Sequence, residues 1–508
     1  MAGRSFAGLL DTAARLRPAT PFLRTVDGAA VTYAEFARRR DAVAAGLLAA
    51  GHVRGRGGRV VLAQPTSVDA LTVLFGVHRA GGVAVMANPA ASPRELADAA
   101  VRTDAAAVLA PPALAEALRA DPASAGRAVL DDGGPEIRAL LAGSGQPPPV
   151  APAADDPATI LFTSGTTARP KAVLYRHGHH VFAGEAFARN LAMTADDLLM
   201  HHFPLFHMSG LGQVAATVTA ASSILLVDRF RSGAFEELVD DFRPTLTFLN
   251  STHVKMIRER SGRAPGTGSS LRAVTFALQL AEEHYAWFED RFGPVLRGAF
   301  GMTETVTGCV MNPAVDRRRH SCGLPVPGYL VRVLDDAGGD RAPGEAGELA
   351  LSCYSPYGLA DGYLDDPAAT EQAFRDGWLH TGDVVRRDAD GYVFWLDRTK
   401  ELIKRAGENI SPAEVEAVLE TYPGIAEVCV LGRPDPLREE EPIACVVPAD
   451  GARIDVAALL AHCRRELAAY KVPAEVHIVA SLPRNPVGKV VRRQLLAQLE
   501  RDARGAQP

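Results

Sequence analysis

The chain has 508 residues, and its 47% hydrophobic and 22% charged residues are an ordinary balance for a globular protein. This length exceeds the size at which one hydrophobic core keeps growing, so we expect two or more domains. The formal net charge of −6 argues against nucleic acid as a partner.

The first residues and the cysteines bear on the cellular compartment. Asp11 and Arg15 come too early for the apolar core of a signal peptide. The longest uncharged stretch, residues 208–227, is interrupted by Gly, Gln, Ser and Thr, which predicts a buried helix followed by a strand and no membrane span. None of the six cysteines has a Cys-x-x-Cys spacing, which indicates reduced core thiols in a cytoplasmic protein.

Helical and strand patterns alternate along the first part of the chain. Residues 33–48 and 67–80 have apolar residues at helical spacing, whereas residues 59–63 and 82–86 are short apolar runs typical of strands. A capping box at residues 92–95 starts another helix. This alternation predicts an α/β fold in which parallel sheets are covered by helices on both faces.

A domain boundary is expected between Asp397 and Arg398. The elements predicted beyond it are helices from Ser411 and over 456–469, and strands over 427–431, 443–447 and 476–479. About a hundred residues suffice for an independent domain. The sequence therefore predicts a large N-terminal domain of several subdomains, residues 1–397, and a small α+β domain, residues 398–508.

A loop rich in hydroxyl groups follows the apolar run at residues 160–162. Residues 163–171 are Thr-Ser-Gly-Thr-Thr-Ala-Arg-Pro-Lys, in which Gly165 allows a turn with positive φ. The groups that can converge on phosphate oxygens are backbone N–H groups, the Lys171 ammonium and the hydroxyls of Thr163, Ser164, Thr166 and Thr167. The Walker spacing is absent, which excludes the usual P-loop, and composition alone is equally compatible with a plain turn.

Further motifs follow in a fixed order. They are Phe300-Gly301-Met302-Thr303-Glu304, a 376–383 segment ending in Thr381-Gly382-Asp383, Asp-Arg-Thr-Lys at 397–400, and Arg-Asn-Pro-Val-Gly-Lys at 484–489. With the 163–171 loop, this series resembles the signature motifs of the adenylate-forming superfamily, which contains acyl-CoA synthetases, adenylation domains of peptide synthetases and beetle luciferases. The resemblance spans nearly the whole chain, from Thr32 to the Lys489 loop.

The resemblance implies an AMP-forming ligase with a large N-terminal domain and a small, mobile C-terminal domain. A carboxylate oxygen attacks the α-phosphorus of ATP and releases pyrophosphate, and a thiol then displaces AMP from the acyl-adenylate. ATP, Mg²⁺ and coenzyme A are the implied cofactor and co-substrates. Because the first step brings an anion to a polyanion, positive charge must already be in place.

The family's roles carry over onto matching residues of this chain. The residues implied for nucleotide binding are Thr163, Ser164, Gly165, Thr166, Thr167 and Lys171 at the β- and γ-phosphates, Thr303 at the α-phosphate, Glu304 at Mg²⁺, Phe300 beside the adenine after the turn at Gly301, Asp383 at the ribose, and Arg398 at the ribose or phosphate. Lys489 would bridge the carboxylate and the α-phosphate during adenylation. The alternative for Lys489 is a solvated lysine beside Arg492 and Arg493.

The small domain of the family rotates between the two half-reactions. Lys400 occupies the implied hinge position. After rotation, Lys404, Arg405 and Gly407 would line the channel for the pantetheine arm of coenzyme A. Gly407 is equally compatible with a plain turn before the helix at Ser411.

Residues 204–210, Pro-Leu-Phe-His-Met-Ser-Gly, resemble the gate and pocket segment of carboxylic acid–CoA ligases. The residues implied for the acid pocket are His207, Met208, Ser209, Gly210, Asn250, Ala277 and Gln279. His207 would also border the route to the thiol as a catalytic residue, with a packed core histidine as the alternative. The stretch from Phe203 to Thr219 contains no carboxylate, which argues against an α-amino acid. The boundary motif runs into Leu402-Ile403 without the insertion that marks ligases acting only on carrier proteins, which favours coenzyme A as the acceptor.

The segment 274–280 departs from the family pattern. Phe276, Leu278 and Gln279 are expected to narrow the pocket, and polar residues at 250–253 favour a short, aromatic or polar acid over a long fatty acid. Two other functions stay open. One is adenylation for a non-CoA acceptor such as a carrier protein or an amine, or activation of an unusual oxyacid such as nitrite. The other is a non-catalytic nucleotide-binding relative, which the retained Lys171, Glu304, Asp383 and Lys489 argue against. A homodimer is also kept open.

Overall fold

The computed structural model describes most of the chain in ten segments: residues 4–143, 152–163, 170–277, 280–398, 403–405, 408–410, 412–435, 439–467, 471–485 and 490–505. The chain divides into a larger unit, residues 1–331 with 351–380, and a smaller unit, residues 332–350 with 381–508. The predicted α/β class is confirmed, whereas the predicted boundary at 397/398 stays a prediction. The predicted site residues that lie outside the described residues are Ser164, Gly165, Thr166, Thr167, Gln279, Lys400, Gly407 and Lys489.

Several helices begin where the sequence supplies a capping side chain. Within the described residues, the α-helices are α1 (Phe6–Leu16), α2 (Tyr33–Ala49), α3 (Val68–Arg79), α4 (Pro93–Arg102), α5 (Pro112–Ala120), α6 (Pro135–Ala142), α7 (His177–Asn190), α8 (Met208–Ala220), α9 (Phe235–Phe242), α10 (Ser251–Arg260), α11 (Glu282–Phe292), α12 (Pro367–Ala373), α13 (Pro412–Glu420), α14 (Val456–Glu466) and α15 (Arg492–Gly505). The hydroxyls of Thr32 and Ser67 accept the backbone N–H three residues on, and Ser92 with Glu95 forms the predicted capping box.

The strands form sheets in both units. Those described are β1 (Pro21–Thr25), β2 (Ala30–Thr32), β3 (Arg59–Leu62), β4 (Val83–Met86), β5 (Ala105–Ala110), β6 (Ala128–Asp131), β7 (Pro157–Phe162), β8 (Ala172–Arg176), β9 (Leu198–His201), β10 (Ser223–Leu226), β11 (Leu246–Asn250), β12 (Ala273–Ala277), β13 (Leu296–Phe300), β14 (Val310–Met311), β15 (Leu324–Pro325), β16 (Tyr329–Leu334), β17 (Ala346–Cys353), β18 (Phe374–Arg375), β19 (Trp378–Arg387), β20 (Val393–Arg398), β21 (Ile403–Arg405), β22 (Glu408–Ile410), β23 (Ile425–Asp435), β24 (Glu439–Pro448) and β25 (Glu475–Ile478).

The larger unit contains two mainly parallel sheets. One has the strand order β6-β5-β3-β4-β7-β8, and the other has the order β15-β14-β13-β12-β11-β9-β10-β1-β2. In the second sheet, the neighbours from β13 to β1 are parallel, and the strands added at both edges are antiparallel. Every residue of β9, β10 and β11 is buried, as expected where helices cover both faces of a sheet.

The smaller unit contains the predicted α+β elements. Its C-terminal sheet has the order β22-β21-β24-β23, with β25 parallel to β24. One face packs on α13 and α14 through Val415, Leu419 and Leu459, and the other face packs on α15 through Leu495. The chain also forms a sheet of order β16-β17-β19-β18, with β20 paired to β19, that is not confined to the smaller unit.

Two sequence expectations concern the uncharged stretch and the thiols. Residues 208–227 contain α8 followed by β10, as predicted, and no helix in the described part of the chain has the length and apolar character to cross a bilayer. All six cysteines are free, and Cys309, Cys429, Cys445 and Cys463 are buried. Burial raises the pKa of Cys429 to about 12, so this thiol stays protonated and behaves as a core residue.

Candidate active site

Several predicted site residues of the larger unit meet at one edge of its second sheet. The neighbouring parallel strands β13, β12, β11 and β9 end, respectively, at Phe300, Ala277, Asn250 and His201. Ligands of open α/β sheets bind outside the carboxyl ends of the strands. The fold therefore brings the 300–304 motif, the gate segment after His201 and the acid-pocket residues Asn250 and Ala277 to a common edge.

The two ends of the proposed phosphate loop are joined. Strands β7 and β8 are antiparallel and pair Phe162 with Ala172. The Thr163 N–H donates to the Lys171 carbonyl at 2.9 Å, and the Lys171 N–H donates to Thr163 Oγ1 at 3.3 Å. Thr163 and Lys171 are thus paired at the end of the β7–β8 hairpin, with the Thr163 hydroxyl next to the lysine backbone.

Lys171 and Glu304 contact the same tyrosine. The Lys171 Nζ atom lies 4.3 Å from the centroid of the Tyr363 ring, and the Tyr363 hydroxyl donates to Glu304 Oε1 at 2.6 Å. Glu304 is only 5% exposed. A cation and a carboxylate that the family resemblance implies for phosphate and Mg²⁺ therefore contact the same side chain, and Tyr363 is a candidate site residue that the sequence did not indicate.

The backbone that presents Thr303 and Glu304 is held by buried hydrogen bonds. A 3₁₀ turn spans Thr303–Thr305, where the Tyr175 hydroxyl donates to the Thr303 carbonyl and the Tyr329 hydroxyl donates to the Thr305 carbonyl at 2.6 Å. Burial, and next the Glu304 charge, raise the pKa of Tyr175 well above its usual value, so this phenol keeps its proton and donates. Two tyrosines that lie outside the turn in the sequence thus hold its backbone in place.

Gly301 precedes this turn where the backbone is crowded. A Cβ atom at Gly301 would lie 2.8 Å from the carbonyl oxygen of Thr307, so any larger residue would displace the strand end. Phe300 and Met302 on either side are partly buried. The Phe-Gly-Met-Thr-Glu motif therefore has a structural reason for its glycine.

His207 caps a helix at the gate segment. Its Nδ1 accepts the Ser209 N–H at 3.2 Å and so caps the start of α8. Burial lowers the pKa of His207 to about 4, so the ring is neutral at pH 7 with its proton on Nε2. A Cβ at Gly210 would lie 2.2 Å from the Pro204 carbonyl oxygen, which explains the glycine. Met208, which follows His207 in the sequence, is buried.

Aromatic rings surround the residues after β11. Asn250 Oδ1 accepts the His253 N–H at 2.9 Å and caps α10, and the His253 ring stacks on Phe230 at 4.0 Å between centroids. The rings of His202 and Phe203 lie 5.2 and 5.6 Å from His253. Within the described residues, His202 Nε2 and His253 Nδ1 are buried without a hydrogen-bond partner. This cluster combines aromatic faces with unused polar atoms.

The expected narrowing by Phe276 is wrong. Asn250 pairs in register with Ala277, whereas Phe276 is 2% exposed and packs in the core near Tyr285, with 5.8 Å between ring centroids. Successive strand residues point to opposite faces of a sheet, so Phe276 faces the core on the side opposite to Ala277. Leu278 and Gln279 lie outside the described residues.

Asp383 lies in the smaller unit, on β19. The Asp383 carboxylate is buried and accepts the indole N–H of Trp395 at 2.9 Å, and the Asp383 N–H donates to Thr381 Oγ1 at 3.1 Å. In the β19–β20 register, Asp383 is opposite Arg398. The two predicted ribose-side residues are thus neighbours, and Trp395 is an orienting residue that the sequence did not indicate.

Two of the three predicted coenzyme A channel residues, Lys404 and Arg405, lie on β21. Lys404 is the central residue of this strand, and Arg405 forms a two-point ion pair with Glu441, at 2.9 and 3.1 Å. Glu441 is 4% exposed, so this pair stabilises the sheet of the smaller unit. A channel role for either residue stays a prediction.

The residues of the larger unit fit a Mg²⁺ ion that arrives on a nucleotide. Among the described residues, no group of three or more His, Cys, Asp or Glu side chains has a metal-binding arrangement. Mg²⁺ is commonly bound by one or two carboxylates together with substrate phosphates and waters. A single buried carboxylate, Glu304, close to Lys171, meets that requirement.

Comparison with known proteins decides the family. Residues 10–364 match the AMP-binding enzyme family, and residues 414–489 match its C-terminal domain. The chain belongs to the AMP-binding enzyme family. It is 35% identical to a sulfoacetate–CoA ligase of Cupriavidus necator over 505 residues, 97% of each chain, and 35% identical to a feruloyl-CoA synthase of an Amycolatopsis species over 486 residues, 95% of this chain and 96% of the relative.

A solved structure supports the fold of this family member. ATP-bound MatB from Rhodopseudomonas palustris is 29% identical, with a TM-score of 0.88 over 99% of this chain and 100% of that one. The predicted family, fold class and ATP-dependent, AMP-forming ligase activity are confirmed. The predicted use of ATP, Mg²⁺ and coenzyme A agrees with such relatives and structures.

Proposed function

We propose that this family member adenylates a short, aromatic or polar carboxylic acid and transfers the acyl group to coenzyme A. The observation that carries the nucleotide part is the convergence of Lys171 and Glu304 on Tyr363. In the first step a carboxylate oxygen bonds to the α-phosphorus and pyrophosphate leaves. In the second step the thiol sulfur bonds to the acyl carbon, and AMP leaves as the thiol proton is lost. We place the enzyme in the cytoplasm, and a homodimer stays a prediction.

The residues of the larger unit would divide the work in the first step. Bound Mg²⁺ supplies positive charge that offsets the charge of the phosphates, and Glu304 would hold it. Lys171 would bind a terminal phosphate oxygen, and the Thr303 hydroxyl would donate to the α-phosphate. Because buried phenols fix the Thr303–Thr305 turn, these donors need little rearrangement during the reaction.

The neutral His207 ring suits a gate between the acid and the thiol. Its Nδ1 is used by the helix cap, so Nε2–H is the atom that can donate to the acid or the acyl-adenylate. The cluster of His253, Phe230 and Phe203 supports an aromatic or polar acid, because it offers ring faces and an unused nitrogen. Sulfoacetate and ferulate, named for the two relatives, are examples of these acid classes.

Replacing His253 by phenylalanine tests the nature of the acid. The change keeps an aromatic ring for stacking on Phe230 but removes both nitrogens. We expect kcat/KM for polar acids to fall about tenfold while apolar aromatic acids are used as well as before, since an unmade buried hydrogen bond costs about that factor. Pyrophosphate release measures kcat/KM for both classes of acid, and His320→Phe, a change at an exposed histidine, serves as the control. Equal effects on both classes of acid would remove His253 from substrate selection.

Pyrophosphate release with a panel of acids, with and without coenzyme A, tests the function itself. Pyrophosphate that forms with an acid, followed by a coenzyme A-dependent thioester, supports the proposal. Pyrophosphate without any thioester favours transfer to another acceptor. No pyrophosphate with any acid and no nucleotide binding would favour a non-catalytic relative.

A further inference from the structure

Tyr363 is anchored next to the phosphate loop by its backbone. Tyr363 forms a β-bridge with Val173, and the following Leu364 N–H donates to the Ala172 carbonyl at 2.8 Å. The Tyr363 N–H donates to Thr370 Oγ1 at 2.9 Å. Strand β8, which starts one residue after Lys171, thus fixes where the Tyr363 side chain begins.

The two ends of this side chain contact opposite charges. The ring face lies under the Lys171 ammonium at 4.3 Å, and the hydroxyl donates to the buried Glu304 carboxylate at 2.6 Å. The first contact is a cation–π interaction, and the second is a charge-assisted hydrogen bond. Tyr363 therefore stabilises an ammonium and a carboxylate at separate positions.

The neutral side chain of Tyr363 separates the Lys171 ammonium from the Glu304 carboxylate. Without it, an ammonium and a carboxylate that contact the two ends of the same side chain would attract each other, which favours a direct ion pair. Such a pair would compete with nucleotide phosphates for Lys171 and with Mg²⁺ for Glu304. We propose that Tyr363 is a positioning residue that keeps Lys171 and Glu304 apart and oriented, so that a magnesium–nucleotide complex can engage both.

This proposal rests on the proposed function and predicts separate effects for the two ends of the side chain. Tyr363→Phe keeps the ring under Lys171 and removes the hydroxyl, and with it the hydrogen bond to Glu304. Tyr363→Ala removes both contacts. The other tyrosines near the turn differ, because Tyr175 and Tyr329 donate to backbone carbonyls and contribute to the fold.

The experiment is calorimetric binding of a nonhydrolysable ATP analogue over a range of Mg²⁺ concentrations. For Tyr363→Phe we expect the Mg²⁺ concentration that gives half of the maximal increase in analogue affinity to rise about tenfold, because Glu304 loses a hydrogen bond to its charged carboxylate. The affinity for the analogue without metal should be unchanged. For Tyr363→Ala we expect metal-free affinity to fall as well. Tyr357→Phe is the matched control, since the Tyr357 hydroxyl also donates to a carboxylate, that of Asp155, at 2.8 Å.

A double variant gives a second measurement. In Glu304→Gln the carboxylate is already neutral, so adding Tyr363→Phe should weaken magnesium-dependent binding little further. Thermal unfolding of each variant checks that the fold is kept. Unchanged Mg²⁺ dependence in Tyr363→Phe, or additive losses in the double variant, would overturn the positioning role even where the wild type binds nucleotide and makes thioester. A wild type that binds no nucleotide would overturn the proposed function together with it.

Discussion

Replacing Lys489 by alanine is expected to slow acyl-adenylate formation by at least about a hundredfold, because a preorganised cation at a developing negative charge contributes a few kcal/mol to the transition state. The motif position of Lys489, at the end of the matched C-terminal domain, is the basis for this expectation. Thioester formation from preformed acyl-AMP and coenzyme A should survive, since that step has no pyrophosphate to expel. Acid-dependent pyrophosphate release and thioester formation from synthetic acyl-AMP measure the two steps separately.

The control for Lys489 is a neighbouring cation. Arg493 is exposed, whereas Arg492 donates to Glu416 Oε1 at 2.8 Å and so supports the fold. Arg493→Ala should therefore leave both half-reactions near the wild-type rates. Equal loss of the two half-reactions in Lys489→Ala, or a similar loss in Arg493→Ala, would show that Lys489 acts through general charge or stability.

Local patterns predicted elements well because their causes are local. The helix predicted over 33–48 is Tyr33–Ala49, and the capping box at 92–95 makes both of its hydrogen bonds. The predicted strand at 82–86 is Val83–Met86. Periodic apolar residues and N-cap hydroxyls act within a few residues, so the sequence displays them directly.

The residues that the sequence missed act over long separations. Tyr363 is 59 positions from Glu304, and Tyr175 is 128 positions from Thr303. No spacing rule joins such residues, because only the sheet order and the β7–β8 hairpin bring them together. The error at Phe276 has a related cause, since a motif comparison does not show which face of β12 each residue takes.

The hydropathy of the sequence also did not indicate that its histidines are buried, although four consecutive residues, His177-Gly178-His179-His180, contain three of them. His177, His179 and His180 lie on α7 and are at most 2% exposed, as is His78 on α3. The Thr159 hydroxyl contacts Nε2 of both His78 and His180, at 3.1 and 2.8 Å. In the described part of the chain, neither nitrogen of His177 has a hydrogen-bond partner.

These rings should make the larger unit sensitive to mild acid. Burial lowers the pKa of His177 to about 3 and of His179 to about 4, and also lowers the pKa of His78 and His180. An unfolded histidine has a pKa of about 6.5, so the unfolded chain gains protons first. The contribution to stability is therefore complete above about pH 6.5 and decreases as the pH falls toward the folded-state values.

The expected size of this effect is large. His177 and His179, with folded-state pKa values of about 3 and about 4, each remove about 2 kcal/mol of stability between pH 7 and pH 5, and together they remove an amount close to the lower end of the 5–15 kcal/mol of a typical domain. We expect cooperative unfolding of the larger unit near about pH 5, measured by urea titrations monitored by circular dichroism at several pH values.

Replacing His177 by leucine should flatten this dependence. The leucine replaces a buried ring whose two nitrogens have no hydrogen-bond partner in the described part of the chain, so stability at pH 7.5 should change little, whereas about 2 kcal/mol should be recovered at pH 5. The exposed His320→Asn, as control, should follow the wild-type curve at every pH. If His177→Leu loses stability in parallel with the wild type as the pH falls, protonation of these buried histidines does not determine the stability of the enzyme in acid.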